Sequence, residues 1–223
     1  MILAQGPESW VWWSWVGDHT GEILDALREH VVLTAAAVGL GLALSLPLAV
    51  AAHRWRWLLG PSLVVAGMLY TIPALAAFAL LVPWTGLEPA TALIPLTAYT
   101  LFILVRSTVA GLDGVPPDVL DAADGMGYQR GRRLLTVELP LALPVILAGV
   151  RLATVTTIGL VTVTSLITFG GLGRLIYDGF ARDFRTPLVV GAVLSIALAV
   201  AADLLLAGFG RLVAPWARVR GAR

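Results

Sequence analysis

Apolar residues run along this chain in long stretches broken by short polar segments. Runs over about 30–52, 58–82, 90–110, 143–166 and 188–208 each approach or reach the ~20 residues that cross a bilayer as a helix. The pattern predicts an all-α integral membrane protein of about five transmembrane helices. In the first span Ala35, Gly39 and Ala43 recur every four residues, a small-residue face that lets another helix come close. Pro73 falls inside the second span, where it kinks the helix and frees a carbonyl for a neighbouring helix to satisfy. The short link at 84–89 makes spans two and three antiparallel neighbours. The third span carries Pro95 and Arg106. Beyond the fourth, residues 169–187 hold Gly170, Gly171 and Gly173 and are expected to turn at the membrane face and form a short external helix.

One polar stretch stands out between two apolar ones. Residues 121–140 carry Asp121, Asp124, Arg130, Arg132, Arg133 and Glu138, in a chain of which only 13% is charged. Pro116, Pro117 and Asp118 announce a helix start, with Pro in the first turn and an Asp side chain able to cap free amides. A short helix over about 118–124 should then meet Gly125 and Gly127, where the backbone turns readily. A second helical piece follows, and Pro140 and Pro144 mark the entry to the fourth span.

Composition agrees with a membrane protein: 58% of residues are hydrophobic, and mean hydropathy is +0.88. The length allows one domain or at most two small ones. There is no cysteine, which excludes disulfides, thiol catalysis and cysteine metal sites. All 15 basic residues are arginine. The first 29 residues hold Glu8, Asp18, Glu22, Asp25 and Glu29 against Arg28, with Trp10, Trp12, Trp13 and Trp15 close together. Tryptophan favours the headgroup level, so this is read as an interfacial segment and not a signal peptide.

The stretch 121–140 resembles the EAA loop of binding-protein-dependent ABC importer permeases. Asp121, Ala122 and Ala123 are followed after three residues by Gly127, and after nine more by Val137, Glu138, Leu139 and Pro140. Asp for Glu and Val for Ile are the two departures, and both keep the chemistry. Residues 106–155, with the later FGGLGRLI, are similar to permeases of osmoprotectant importers for glycine betaine, choline or carnitine. The likeness covers most of 22–210. It implies a type I importer transmembrane domain over 22–210, preceded by an extracytoplasmic or interfacial segment (1–21) and followed by a basic cytoplasmic tail (211–223). It also implies ATPase subunits, an extracytoplasmic binding protein and a second permease subunit, identical or paralogous. No cofactor is expected in this chain, and no nucleic acid.

By the same resemblance Asp121, Ala122, Ala123 and Gly127 form a cytoplasmic coupling helix and its turn, docked in a cleft of the ATPase. Leu139 and Pro140 close the motif. Met126 and Tyr128 are candidates to plug that cleft. Arg130, Arg132 and Arg133 either pair with acidic ATPase residues or form a solvated or lipid-facing patch. Specificity in such systems rests largely on the binding protein, and no aromatic cage is evident in these spans.

Two further sets of residues invite a role. Thr154, Thr157, Thr164, Ser165 and Thr168 share one face of the fourth span, within ~100° of one another. They either line a passage or bond to carbonyls one turn back. Arg106, Arg151 and Asp203 lie in or near spans, where a charge costs roughly 2.5–3.5 kcal/mol at a helix centre. Asp203 is expected to pair with Arg151 or Arg106, against the alternative that each arginine snorkels to the headgroups.

Orientation follows from the arginines. With the N-terminus outside, ten (54, 56, 106, 130, 132, 133, 211, 218, 220, 223) lie inside and four (28, 174, 182, 185) outside. That satisfies the positive-inside rule and puts the polar stretch in the cytoplasm of a bacterial plasma membrane. Other classes fit less well. A methionine or other small-solute ABC permease would share the loop. A secondary carrier often shows internal repeats, and none is visible. An intramembrane enzyme needs a nucleophile and base, or metal ligands. His19, His30 and His53 fall in the outer segment or at span ends, and no phosphate-binding or zinc-protease pattern occurs. A purely structural subunit would have no need of the loop pattern.

Overall fold

The computed structural model describes residues 11–167 and 170–216. Trp10, Thr168, Arg218, Arg220 and Arg223, all used in the sequence reading, lie outside the described residues. Within them the chain is helical throughout. A short α1 (Trp13–Asp18) leads into α2 (Thr20–Arg54), then α3 (Arg56–Thr71), α4 (Ala74–Thr85), α5 (Pro89–Asp113) and α6 (Pro117–Gly125). A four-residue α7 (Arg130–Arg133) passes through a π-helical turn (Leu134–Glu138) into α8 (Leu139–Thr164), and α9 (Leu172–Ala181) and α10 (Arg185–Val213) complete the fold. Four helical stretches are long and apolar enough to cross a membrane, or five if α3 and α4 count as one bent span.

The centre of the bundle is the trio α2, α5 and α8. Small residues bring these helices together. Ala37, Gly41, Ser45 and Ala49 recur every four residues on the buried face of α2. A Cβ on Gly41 would sit 1.8 Å from Thr100 Oγ1, so only glycine fits there. Between α5 and α8 the same device operates at Gly149, whose absent Cβ would lie 2.3 Å from that of Ser107. The row Ala35, Gly39 and Ala43 is not part of this internal seam. It faces outward, and a Cβ on Gly39 would meet nothing. Both rows have the four-residue period, and the bulkier buried neighbours Leu33 and Val38 decide which one turns inward.

The second span is more than kinked. Its helix stops at Thr71, resumes at Ala74 and bends by 92°. Pro73 can supply no N–H to continue the ladder, and Ile72 before it is held extended, at ψ 126°. The carbonyl of Ile72 accepts a hydrogen bond of 2.7 Å from the Tyr99 hydroxyl of α5. The expected neighbouring-helix partner is therefore present, in a chain that breaks outright.

Span four also differs from its predicted start near 143. The helix is continuous from Arg130, and the π turn sits immediately before Pro140. Pro140 cannot donate to the ladder, and the wider turn absorbs the mismatch without a break. His30, expected at a span end, is buried within α2, and its Nε2 donates to the Ile158 carbonyl of α8 at 3.0 Å.

After the glycine turn, α9 lies against α10 and approaches α2 and α8. Gly171 is left-handed (φ +45°) and a Cβ there would strike the His30 backbone, so glycine is required twice over. At the N-terminal end the Trp12 amide donates to Thr186 Oγ1, and Trp12 and Trp15 pack edge-on against Phe184.

Gly41→Ala should destabilise the solubilised chain by about 1–3 kcal/mol through overpacking, and by less in a Thr100→Ala background. Gly39→Ala should be neutral or stabilising by up to ~1 kcal/mol. Thermal melts of the three variants in detergent check the contrast.

Candidate functional site

The polar stretch folds as two short helices set at an elbow. In α6, Pro116 takes the N-cap position with extended backbone and Pro117 opens the first turn. No side chain caps this end, so Asp118 does not bond as the sequence suggested; it sits in the first turn, where its charge favours the helix dipole. The other end closes by a double hydrogen bond. Tyr128 N donates to Ala123 O at 3.1 Å and Gly127 N to Asp124 O at 2.9 Å. This Schellman closure needs a left-handed residue, and Gly127 supplies it at φ +80°. Gly125, also expected to turn, is the last helical residue.

The candidate docking residues do not share one fate. Asp121, Ala122, Met126 and Gly127 are exposed, Met126 at 69%. Ala123 is buried against its own chain and is unavailable to a partner. Tyr128 is half-buried, and the Arg132 guanidinium lies over its ring, 4.8 Å from the centroid. Of the two plug candidates Met126 is the more exposed. Leu139 packs with Leu112, Ala142 and Ile146, and Pro140 is half-buried at the start of α8, so both serve the joint to the bundle.

Arg133 likewise turns inward. Its Nε donates to Glu138 Oε1 at 2.8 Å and its Nη1 to Asp124 Oδ2. Glu138 is 4% exposed, and its other oxygen lies 3.4 Å from His53 Nε2. His53 Nδ1 in turn donates to Asp113 Oδ1 at 2.7 Å, and Arg56 Nη1 donates to Asp113 Oδ2 at 2.8 Å. Sequence reading missed this cluster. The residues are distant along the chain, and the signal available was that each ends or begins a helix on the same face of the predicted bundle.

Within the spans, Arg151 of α8 and Asp203 of α10 meet through two parallel bonds, Nε to Oδ1 and Nη2 to Oδ2, each 2.8 Å. Paired forks of this kind are the strong form of the interaction. Arg106 is exposed on α5 and makes no ion pair among the described residues. The pair closes one side of α8 onto α10 and lies in an apolar groove of about 520 Å³ lined by Leu152, Val155, Val200 and Leu204.

The hydroxyl row on α8 resolves one of the two open readings. Thr154, Thr157, Thr164 and Ser165 donate to the carbonyls of Val150, Ala153, Val161 and Thr162 at 2.7–2.8 Å. The three threonines are buried inside the bundle, and among the described residues the row is bonded to its own helix.

A bent polar elbow braced beneath a bundle of membrane helices is the architecture of a transporter's membrane component. A family model described as binding-protein-dependent transport system inner membrane component matches residues 38–215. The chain belongs to that family. The osmoprotectant import permease protein OsmW of Salmonella typhimurium is 37% identical over 196 residues, which cover 85% of this chain and 90% of the relative. The choline transport system permease protein OpuBB of Bacillus subtilis is 34% identical over 195 residues, 87% of this chain and 90% of the relative. Among solved structures, an inward-facing form of the MetNI methionine ABC transporter superposes with a TM-score of 0.77 at 19% identity, covering 88% of this chain and 98% of that one. That likeness is one of fold.

Removing either side of the membrane pair should be worse than exchanging both. Asp203→Asn and Arg151→Gln each leave an unpaired charge in the bilayer. Both are expected to lower the amount of folded protein recovered from membranes, and Arg151→Asp with Asp203→Arg should restore it. Fluorescence-detected size exclusion of the variants measures this.

Proposed function

We propose that this chain is the membrane subunit of an ATP-driven importer for a small osmoprotectant such as glycine betaine, choline or carnitine. ATP is hydrolysed on a partner chain, solute is delivered by an extracytoplasmic binding protein, and a second permease subunit completes the pathway. The observation that carries the reading is α6, which presents Asp121, Ala122 and Met126 outward on an elbow whose spacing matches the loop of such permeases. Small and exposed, Ala122 allows close approach, and Gly127 sets the angle at which the helix leaves the bundle.

The loop is placed in the cytoplasm, where ATP is found. The arginine distribution supports an outside N-terminus if α3 and α4 together cross once, and a bacterial inner membrane is the setting. The solute class rests on the relatives, named for osmoprotectants and choline. Selection of the solute is assigned to the binding protein, since the hydroxyl face of α8 is committed to its own helix.

Pull-down of the chain from its native membrane should retain an ATPase. Its binding protein should bind choline or glycine betaine in calorimetry in preference to methionine. Gly127→Asp forces a left-handed backbone that costs a side-chain-bearing residue about 1–2 kcal/mol. The variant should remain in the membrane and lose at least tenfold in solute uptake per ATP hydrolysed. Unchanged uptake would remove the loop from the mechanism.

A further inference from the structure

An uninterrupted line of ionic contacts joins the elbow to the bundle. Asp124 on α6 meets Arg133 on α7, Arg133 meets Glu138 in the π turn, Glu138 meets His53 at the end of α2, and His53 meets Asp113 at the end of α5. Arg56 at the start of α3 holds the second oxygen of Asp113. Basic and acidic side chains alternate along it, three of each.

Glu138 is the knot in this line. Its side chain is 5% exposed, and each of its oxygens faces a different element, one toward Arg133 and one toward His53. Losing either partner would leave one oxygen of a buried carboxylate unmatched, so the junction resists slipping. Direct packing adds little to it. Among the described residues α6 packs on α7 and the π turn and makes no extensive contact with α2, α5 or α8 beyond its chain link. A push on α6 therefore reaches α2 by the chain link into α5 and, through side chains, by the π turn.

We propose that Glu138, clamped between Arg133 and His53, is a positioning residue that makes α6 and the inner ends of α2 and α5 move as one body during the ATP cycle. This rests on the coupling role proposed above for α6. In this arrangement the π turn has a purpose. It places Glu138 under α2 while the same helix continues into the membrane as α8. Arg133 is thereby assigned to the chain's own brace and not to an ATPase surface.

The test is a distance measurement by pulsed electron resonance, with spin labels at Asp118→Cys on α6 and Arg54→Cys at the end of α2, both exposed. In the reconstituted complex with its ATPase, the otherwise wild-type chain should give one narrow distance that is the same without nucleotide and with ATP plus vanadate. Glu138→Gln should broaden the distribution and let it shift between the two states, while ATP is still hydrolysed. His53→Gln, at a more exposed site, should do likewise, and His53→Arg, which supplies a cation with several donors, should restore the narrow distance. A narrow, nucleotide-independent distance in both Gln variants would overturn the proposal. If no ATPase binds the parent chain, the coupling reading of α6 fails. The nucleotide-free distributions of parent and variants still decide whether Glu138 holds the elbow.

Discussion

Helices meeting inside a bilayer expel no water, so they cohere through packing and through polar contacts that lipid cannot satisfy. In this protein the decisive contact is the near backbone-to-backbone approach of α2 to α5 and of α5 to α8, at Gly41 against Thr100 and at Gly149 against Ser107. Everything at the elbow end of the bundle inherits its position from that trio. The ends of α2 and α5 come close enough for His53 to reach Asp113, and the entry of α8 comes close enough for Glu138 to lie beneath them. A looser trio would leave those charges too far apart to pair.

Charge is then used in two different ways. Where the elbow meets the bundle six ionisable groups of alternating sign form a partly wet line, suited to joining elements that pack little on one another. Inside the bundle a single bidentate pair, Arg151 with Asp203, holds α10 against α8. α10 is the most exposed of the four long spanning helices, and the pair adds a polar tie to its packing on α8. Hydroxyls follow a third rule. With no water to serve them, the threonines of α8 turn to their own helix's carbonyls.

The coupling role proposed for α6 requires that this polar piece be stiff relative to the helices it joins. Two local devices provide stiffness here. The Schellman closure at Gly127 fixes the end of α6, and the π turn carries the chain from the elbow into α8 without a hinge at Pro140. Met126 and Ala122 are left facing outward as a result, while Ala123 and Tyr128 are spent on the chain's own surface.

The amino-acid sequence by itself determined the class of the molecule. Apolar runs of bilayer length, the spacing from Asp121 to Pro140 and the charges gathered between spans are all local in the chain, and local patterns survive without coordinates. It also narrowed the partners of Asp203 to two arginines. What only the tertiary structure decided was which of several equivalent patterns is used. Two small-residue rows run along α2 with the same period, and only packing shows that Ala37–Gly41–Ser45–Ala49 is the seam. Two arginines were candidates for Asp203, and only the facing of α8 and α10 selects Arg151. The brace through His53, Glu138 and Asp113 joins residues up to 85 positions apart. No periodicity records such a contact, because it depends on how closely three helices approach and not on any property of one of them.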